Sequence, residues 1–129
     1  MIYLDTSAAI KLVLPEAETL PLELWIAERA GLARASSRLL RIELLRSVSR
    51  YAPERLDRTH TVLSGIVLMS IDDAAPTVEA IGDPLLRSLD AIHLATAHGL
   101  RSVLTAFVTY DKRLRDGAAS LGLPVVAPA

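Results

Sequence analysis

Apolar residues fall in short blocks along this chain, and the blocks switch between strand-like runs and helical spacing. The run Ile2-Tyr3-Leu4, ending at Asp5, makes residues 2–5 a buried strand. Thr6 or Ser7 can cap the helix that follows through Ala8 to Val13, and Pro15 stops it. Residues 16–30 predict a second helix, with Leu20, Leu24 and Ala27 on one face and Gly31 at its end. Residues 32–36 are a strand candidate. Residues 37–51 form a helix that is apolar on most sides, as a helix buried on two faces would be. Pro53 opens a helix over 54–65, residues 66–71 are a strand, and Asp72 or Asp73 starts a short helix ending near Gly82. A loop and a helix closing at Gly99 occupy 83–99. A strand over 103–110, a helix over 111–121 backed by Gly122, and a short strand at Val125 and Val126 complete the chain.

Strands alternate with helices, and the strands are solidly apolar rather than alternating. That predicts an α/β/α sandwich with a mostly parallel central sheet, in one domain over residues 1–129. No repeat, linker or low-complexity stretch interrupts it.

Four acids break the apolar pattern. Asp5 ends the first strand and Asp111 ends the run Phe107-Val108-Thr109-Tyr110. Asp90 shares a helical stripe with Leu86, Leu94 and Ala97, and Glu43 stands among Leu39, Leu40, Ile42, Leu44 and Leu45. A carboxylate near a core is costly unless it is paired or bound to a metal. In open α/β sheets ligands bind beyond the carboxyl ends of the strands. Asp5 and Asp111 fall at such ends, and the helices carrying Glu43 and Asp90 can lean over the same edge. Four meeting carboxylates form a hard oxygen site for Mg²⁺ or Mn²⁺. Taken singly, Asp5 and Asp111 also read as helix caps. Glu43 also reads as a partner of Arg46 or Arg50, and Asp90 as a partner of Arg87.

The composition narrows the alternatives. The chain has 129 residues, 51% of them hydrophobic, which excludes disorder and leaves apolar surface for self-association. It has no cysteine, so neither a disulfide framework nor a thiolate metal site is available. His93 and His98 are five apart rather than the four that puts two histidines on one helix face, which argues against zinc. His93 reads as a structural or site-edge residue. No apolar stretch approaches a membrane span and no secretory pattern opens the chain, so the expected location is the cytoplasm. The net charge is −1, but with four carboxylates given over to metal the rest is about +3, and only Lys11 and Lys112 are lysines. The arginines suit phosphate contacts. Arg46, Arg50, Arg87, Lys112 and Arg113 are the candidates to grip an RNA backbone, with a solvated surface as the competing reading.

The blocks around the four acids carry a family resemblance. Ile2-Tyr3-Leu4-Asp5-Thr6-Ser7-Ala8 resembles the opening of PIN-domain nucleases, and Ser36-Ser37-Arg38-Leu39-Leu40-Arg41-Ile42-Glu43-Leu44 resembles their second acidic block. Leu89-Asp90-Ala91-Ile92-His93-Leu94-Ala95-Thr96-Ala97 is similar to the third and is the most specific. Val108-Thr109-Tyr110-Asp111-Lys112-Arg113-Leu114 is similar to the fourth. Order, spacing and length together resemble the VapC toxins of bacterial VapBC toxin–antitoxin systems.

The resemblance implies a Mg²⁺- or Mn²⁺-dependent endoribonuclease, a homodimer, and inhibition by a cognate VapB-type antitoxin. It makes Asp5, Glu43, Asp90 and Asp111 the catalytic metal-site acids, with Thr6 or Ser7 and Thr109 as supporting hydroxyls. In the mechanism this suggests, Asp5 and Asp90 bind metal directly, while Glu43 and Asp111 act through water or place a second ion. The antitoxin is expected to bury apolar segments between the early helices and to bring a basic side chain near the acids. A PIN-like module that binds RNA or antitoxin without cleaving is the alternative. An Asp-based phosphatase is disfavoured, because Ser7 stands where a second Asp is common.

Overall fold

The computed structural model describes residues 1–81 and 83–129. Its centre is a five-stranded, wholly parallel sheet, in the order β3-β2-β1-β4-β5. The strands are β1 (Ile2–Leu4), β2 (Arg34–Ser37), β3 (Val67–Met69), β4 (Ala106–Val108) and β5 (Val125–Val126). The helices are α1 (Thr6–Ala9), α2 (Thr19–Ala27), α3 (Arg38–Tyr51), α4 (Leu56–Ser64), α5 (Ile71–Ala80), α6 (Ser88–Gly99) and α7 (Lys112–Ser120).

Side-chain alternation along the two central strands sorts the helices into layers. Ile2, Leu4, Ala106 and Val108 point to one face, where they join buried residues of α1 to α4 such as Ala8, Leu22, Leu40, Leu44 and Val62. Tyr3 and Phe107 point to the other, stacked with centroids 5.2 Å apart, and meet Leu94 and Ala97 of α6 and Leu114 and Ala118 of α7. Each large apolar side chain fully buried in these layers contributes roughly 1.5–3 kcal/mol. The α/β/α sandwich is thus the one expected.

Several boundaries differ from those read in the sequence. Asp5, rather than Thr6 or Ser7, caps α1, and its side chain accepts the Ala8 N–H. The helix expected over 16–30 is shorter, and its face is turned: Leu22 and Ile26 are buried while Leu20 and Leu24 are 62% and 57% exposed. Helix α3 buries one stripe, Leu40, Leu44 and Val48 with Leu39 beside it, and leaves Ile42 exposed, so it is not covered on two faces. The strands expected over 66–71 and 103–110 shrink to three residues each. Ile71 belongs to α5, which ends at Ala80, and Gly82 lies outside the described residues. Gly122 has φ of 73°, a left-handed conformation that ends α7 and turns the chain into β5.

The sheet order reverses direction between β1 and β4, since β1 leads outward to β2 and β3 on one side while β4 and β5 lie on the other. A crevice opens at such a reversal, beyond the carboxyl ends of the strands. Asp5 follows β1 there, and Thr109 to Asp111 follow β4.

Candidate active site

Asp5 is the anchor of this edge. It is 2% exposed, and its carboxylate is almost enclosed by donors. Oδ1 accepts from the Ala8 N–H at 2.9 Å and from Ser7 Oγ at 2.7 Å, and Oδ2 accepts from Thr109 Oγ1 at 2.6 Å. Ser7 Oγ in turn accepts the Tyr110 N–H at 2.8 Å, and Thr109 Oγ1 accepts the Asp111 N–H at 3.1 Å. These bonds tie the ends of β1 and β4 together around one carboxylate. Burial raises the Asp5 pKa, against the pull of the Thr109, Ser7 and Ala8 hydrogen bonds.

Glu43 approaches from α3, the helix that begins directly after β2, with Ser37 as its N-cap. Its Oε1 accepts from Thr6 Oγ1 at 2.7 Å and lies 2.8 Å from His93 Nε2. Burial pushes the Glu43 pKa up, but the His93 and Thr6 hydrogen bonds outweigh it and the net shift is downward. The expected alternative partners, Arg46 and Arg50, form no ion pair with it: both are exposed, and Arg50 lies over the Tyr51 ring, 5.2 Å from its centroid.

Asp90 is half-buried in the first turn of α6. Its pKa is raised, first by burial and then by the charges of Asp111 and Glu43, against the lowering influence of His93 and Arg87. Three acids from α3, α6 and the start of α7 therefore share one electrostatic field. Asp111 caps α7 through Oδ1, which accepts the Leu114 N–H at 2.9 Å. It is exposed, so the expectation that all four acids occupy core-like positions fails for this one. The loop before α7 carries it just outside the sheet edge. Both Asp5 and Asp111 are helix caps and site-edge acids at once.

The supporting hydroxyls divide their work. Ser7 and Thr109 hold Asp5, whereas Thr6 holds Glu43. His93, expected as a structural or site-edge residue, is 3% exposed and joins Glu43 to Tyr3, whose hydroxyl lies 2.8 Å from Nδ1. Its place three residues after Asp90, one helical turn away, was the available signal. Lys11 gave no signal: it is 8% exposed, pairs with Glu16 at 2.6 Å and Glu18 at 3.0 Å, and stands 4.7 Å over the Tyr110 ring. Arg87, Lys112 and Arg113 are exposed, each close in sequence to one of the acids.

The donor set is oxygen throughout, as Mg²⁺ or Mn²⁺ prefers. Among the described residues, no three His, Asp or Glu side chains converge as a cage around a single ion. The arrangement fits an ion that keeps several waters and takes one or two carboxylates directly, which is how Mg²⁺ is usually held.

A family model for the PIN domain matches residues 2–119. This chain belongs to the PIN-domain family. Ribonuclease VapC35 of Mycobacterium tuberculosis (strain ATCC 25618 / H37Rv) is 46% identical to it, over 99% of this chain and 97% of that protein. Ribonuclease VapC47 of Mycobacterium tuberculosis (strain CDC 1551 / Oshkosh) is 42% identical, again over 99% and 97%. Within the PIN-domain family the chain is therefore a member of the VapC group. A solved toxin–antitoxin complex from Klebsiella pneumoniae contains a chain of the same fold, with a TM-score of 0.74 and 26% identity over 100% of this chain and 98% of that one.

Proposed function

We propose that this PIN-domain protein is the endoribonuclease toxin of a type II toxin–antitoxin system. It hydrolyses RNA phosphodiesters at a Mg²⁺ or Mn²⁺ site formed by Asp5, Glu43, Asp90 and Asp111. The observation that carries the reading is the way neighbouring residues hold the acids at the sheet reversal: Ser7, Ala8 and Thr109 bind Asp5, Thr6 binds Glu43, and the Asp111 N–H donates to the same Thr109 hydroxyl. Acids held near one another at a sheet reversal are a standing cost to the fold, which a divalent cation removes. Membership in a group whose relatives are named ribonucleases supports the same conclusion.

The roles of the residues follow from their surroundings. Asp90, whose carboxylate makes no hydrogen bond among the described residues, and Asp5, locked in place by Ser7, Thr109 and Ala8, would be the direct ligands. Glu43, with Oε1 committed to Thr6 and His93, offers Oε2, and Asp111, with Oδ1 committed to Leu114, offers Oδ2. Each of these would act on a bound ion through water or help to hold a second one. A metal held there would supply a water of lowered pKa and offset charge on the phosphoryl oxygens. Arg87, Lys112 and Arg113, next to the acids in sequence, hold flanking phosphates. Arg46 and Arg50 lie one and two turns along α3 from Glu43 and guide the strand away from the cut.

The partners are a VapB-type antitoxin, which inhibits the enzyme, and a second copy of the chain in a homodimer. The exposed Leu20 and Leu24 of α2 supply apolar surface for such contacts. No helix among the described residues is long and apolar enough to cross a membrane, and a cytoplasmic location accords with an RNA substrate. RNA cleavage that requires divalent metal and is lost in Asp90→Asn tests the reading.

A further inference from the structure

We propose that Tyr3 and His93 are positioning residues, forming a buried relay that pins Glu43 Oε1 and leaves Oε2 directed to the metal site. This rests on the reading of Glu43 as a metal-site acid. The relay runs across three elements. The Ser37 N–H donates to the Tyr3 hydroxyl at 3.1 Å, Tyr3 Oη lies 2.8 Å from His93 Nδ1, and His93 Nε2 lies 2.8 Å from Glu43 Oε1.

The relay assigns a direction to each bond. The Tyr3 oxygen accepts the Ser37 N–H, and in the relay its own proton, retained at neutral pH, goes to Nδ1. An Nδ1 that accepts leaves the ring proton on Nε2, and that N–H donates to Glu43. Thr6 Oγ1 gives a second hydrogen bond to the same oxygen. Among the described residues both donors to Glu43 thus converge on Oε1, and none reaches Oε2.

Packing holds the relay in place. Tyr3 is fully buried, stacked on Phe107 and edge-on to His93, with ring centroids 6.0 Å apart and planes at 82°. Neither ring can turn without disturbing the sheet's second core layer. A phenylalanine would fill the Tyr3 position equally well by volume, so the hydroxyl is present for its hydrogen bonds. The Ser37 N–H that it accepts begins α3, which places the same hydroxyl between the backbone of Glu43's helix and the imidazole that holds Glu43.

Nitrogen NMR of the His93 ring in the metal-free protein, combined with Mg²⁺ titration, tests this. Wild type is expected to show the Nε2–H tautomer at neutral pH. Tyr3→Phe is expected to lose that preference and to bind Mg²⁺ about ten-fold more weakly, as when a ligand's orienting partner is lost. Because Tyr3→Phe also strands the Ser37 N–H, His93→Gln and His93→Leu serve as a second pair. Gln, whose amide can donate to Glu43 in place of Nε2–H, should retain much of the Mg²⁺ affinity that Leu loses. An Nδ1–H or doubly protonated His93 in wild type overturns the relay. So does unchanged Mg²⁺ binding in both Tyr3→Phe and His93→Leu. A wild-type protein that shows the expected tautomer but takes up no divalent metal refutes the metal-site reading instead, and with it the purpose assigned to the relay.

Discussion

Thr109, just beyond β4, donates a 2.6 Å hydrogen bond to Asp5, just beyond β1, so one carboxylate joins the two central strands at the point where the sheet reverses. Both residues are buried. The bond ties the ends of β1 and β4 together and also restrains the rise in the Asp5 pKa that burial causes. Structure and site chemistry are coupled here through a single hydroxyl.

Replacing that hydroxyl should therefore affect both. Thr109→Val keeps the shape and removes the donor, leaving Asp5 and the Asp111 N–H each short of a partner. A hydrogen bond to a charged group is worth about 1.5–3 kcal/mol, and urea unfolding at neutral pH should show a loss of about that size. An unchanged midpoint would mean that Ser7 and Ala8 alone satisfy Asp5.

Asp90 should behave in the opposite sense. Its folded pKa is raised above the ordinary value, so the fold holds its proton more tightly than the unfolded chain does. The stability associated with this group is complete below the unfolded pKa and is lost as pH rises through the folded one. At neutral pH in EDTA, Asp90→Asn should melt at a higher temperature than wild type, with the gap closing as the solution is acidified. Added Mg²⁺ should raise the melting temperature of wild type and leave that of Asp90→Asn nearly unchanged. A variant less stable than wild type in EDTA would show that the Asp90 charge is already compensated within the protein.

Lys11 provides a control away from the acids. Its pairing with Glu16 and Glu18 raises its pKa despite the burial that opposes this, and it fixes the turn between α1 and α2. The glutamates are partly solvated, so Lys11→Met should cost only about 1 kcal/mol in denaturant unfolding. Its Mg²⁺ midpoint should match wild type. A shifted midpoint would tie Lys11, through Tyr110, to the site.

Much of the fold was legible because β1 and β4 are solid apolar runs with a polar stop, and because Asp5, Ser37 and Asp111 cap the helices that follow β1, β2 and β4. The four acids were legible for the same reason: each interrupts an apolar pattern. What the sequence hid was orientation. Nothing in the spacing of Leu20, Leu22, Leu24 and Ile26 tells which pair faces the core, since α2 is apolar all round. The alternative partners offered for Glu43 failed for a similar reason. Local helical spacing pointed to Arg46 and Arg50, whereas the structure supplies His93, fifty residues away on a helix packed beside it. Tyr3 was read as core, and it is core, but alternation along β1 also turns its hydroxyl to the helix that carries Asp90 and His93.

The central claim is metal-dependent RNA hydrolysis at these acids. It is tested most directly by incubating the purified chain with structured RNAs in Mg²⁺ or Mn²⁺, beside an EDTA control and Asp90→Asn. Cleavage that needs the metal and falls in Asp90→Asn by more than the roughly 10–100-fold cost of losing a ligand's orienting partner is the predicted result. Cleavage that persists in EDTA, or at wild-type rate in a folded Asp90→Asn, would contradict it.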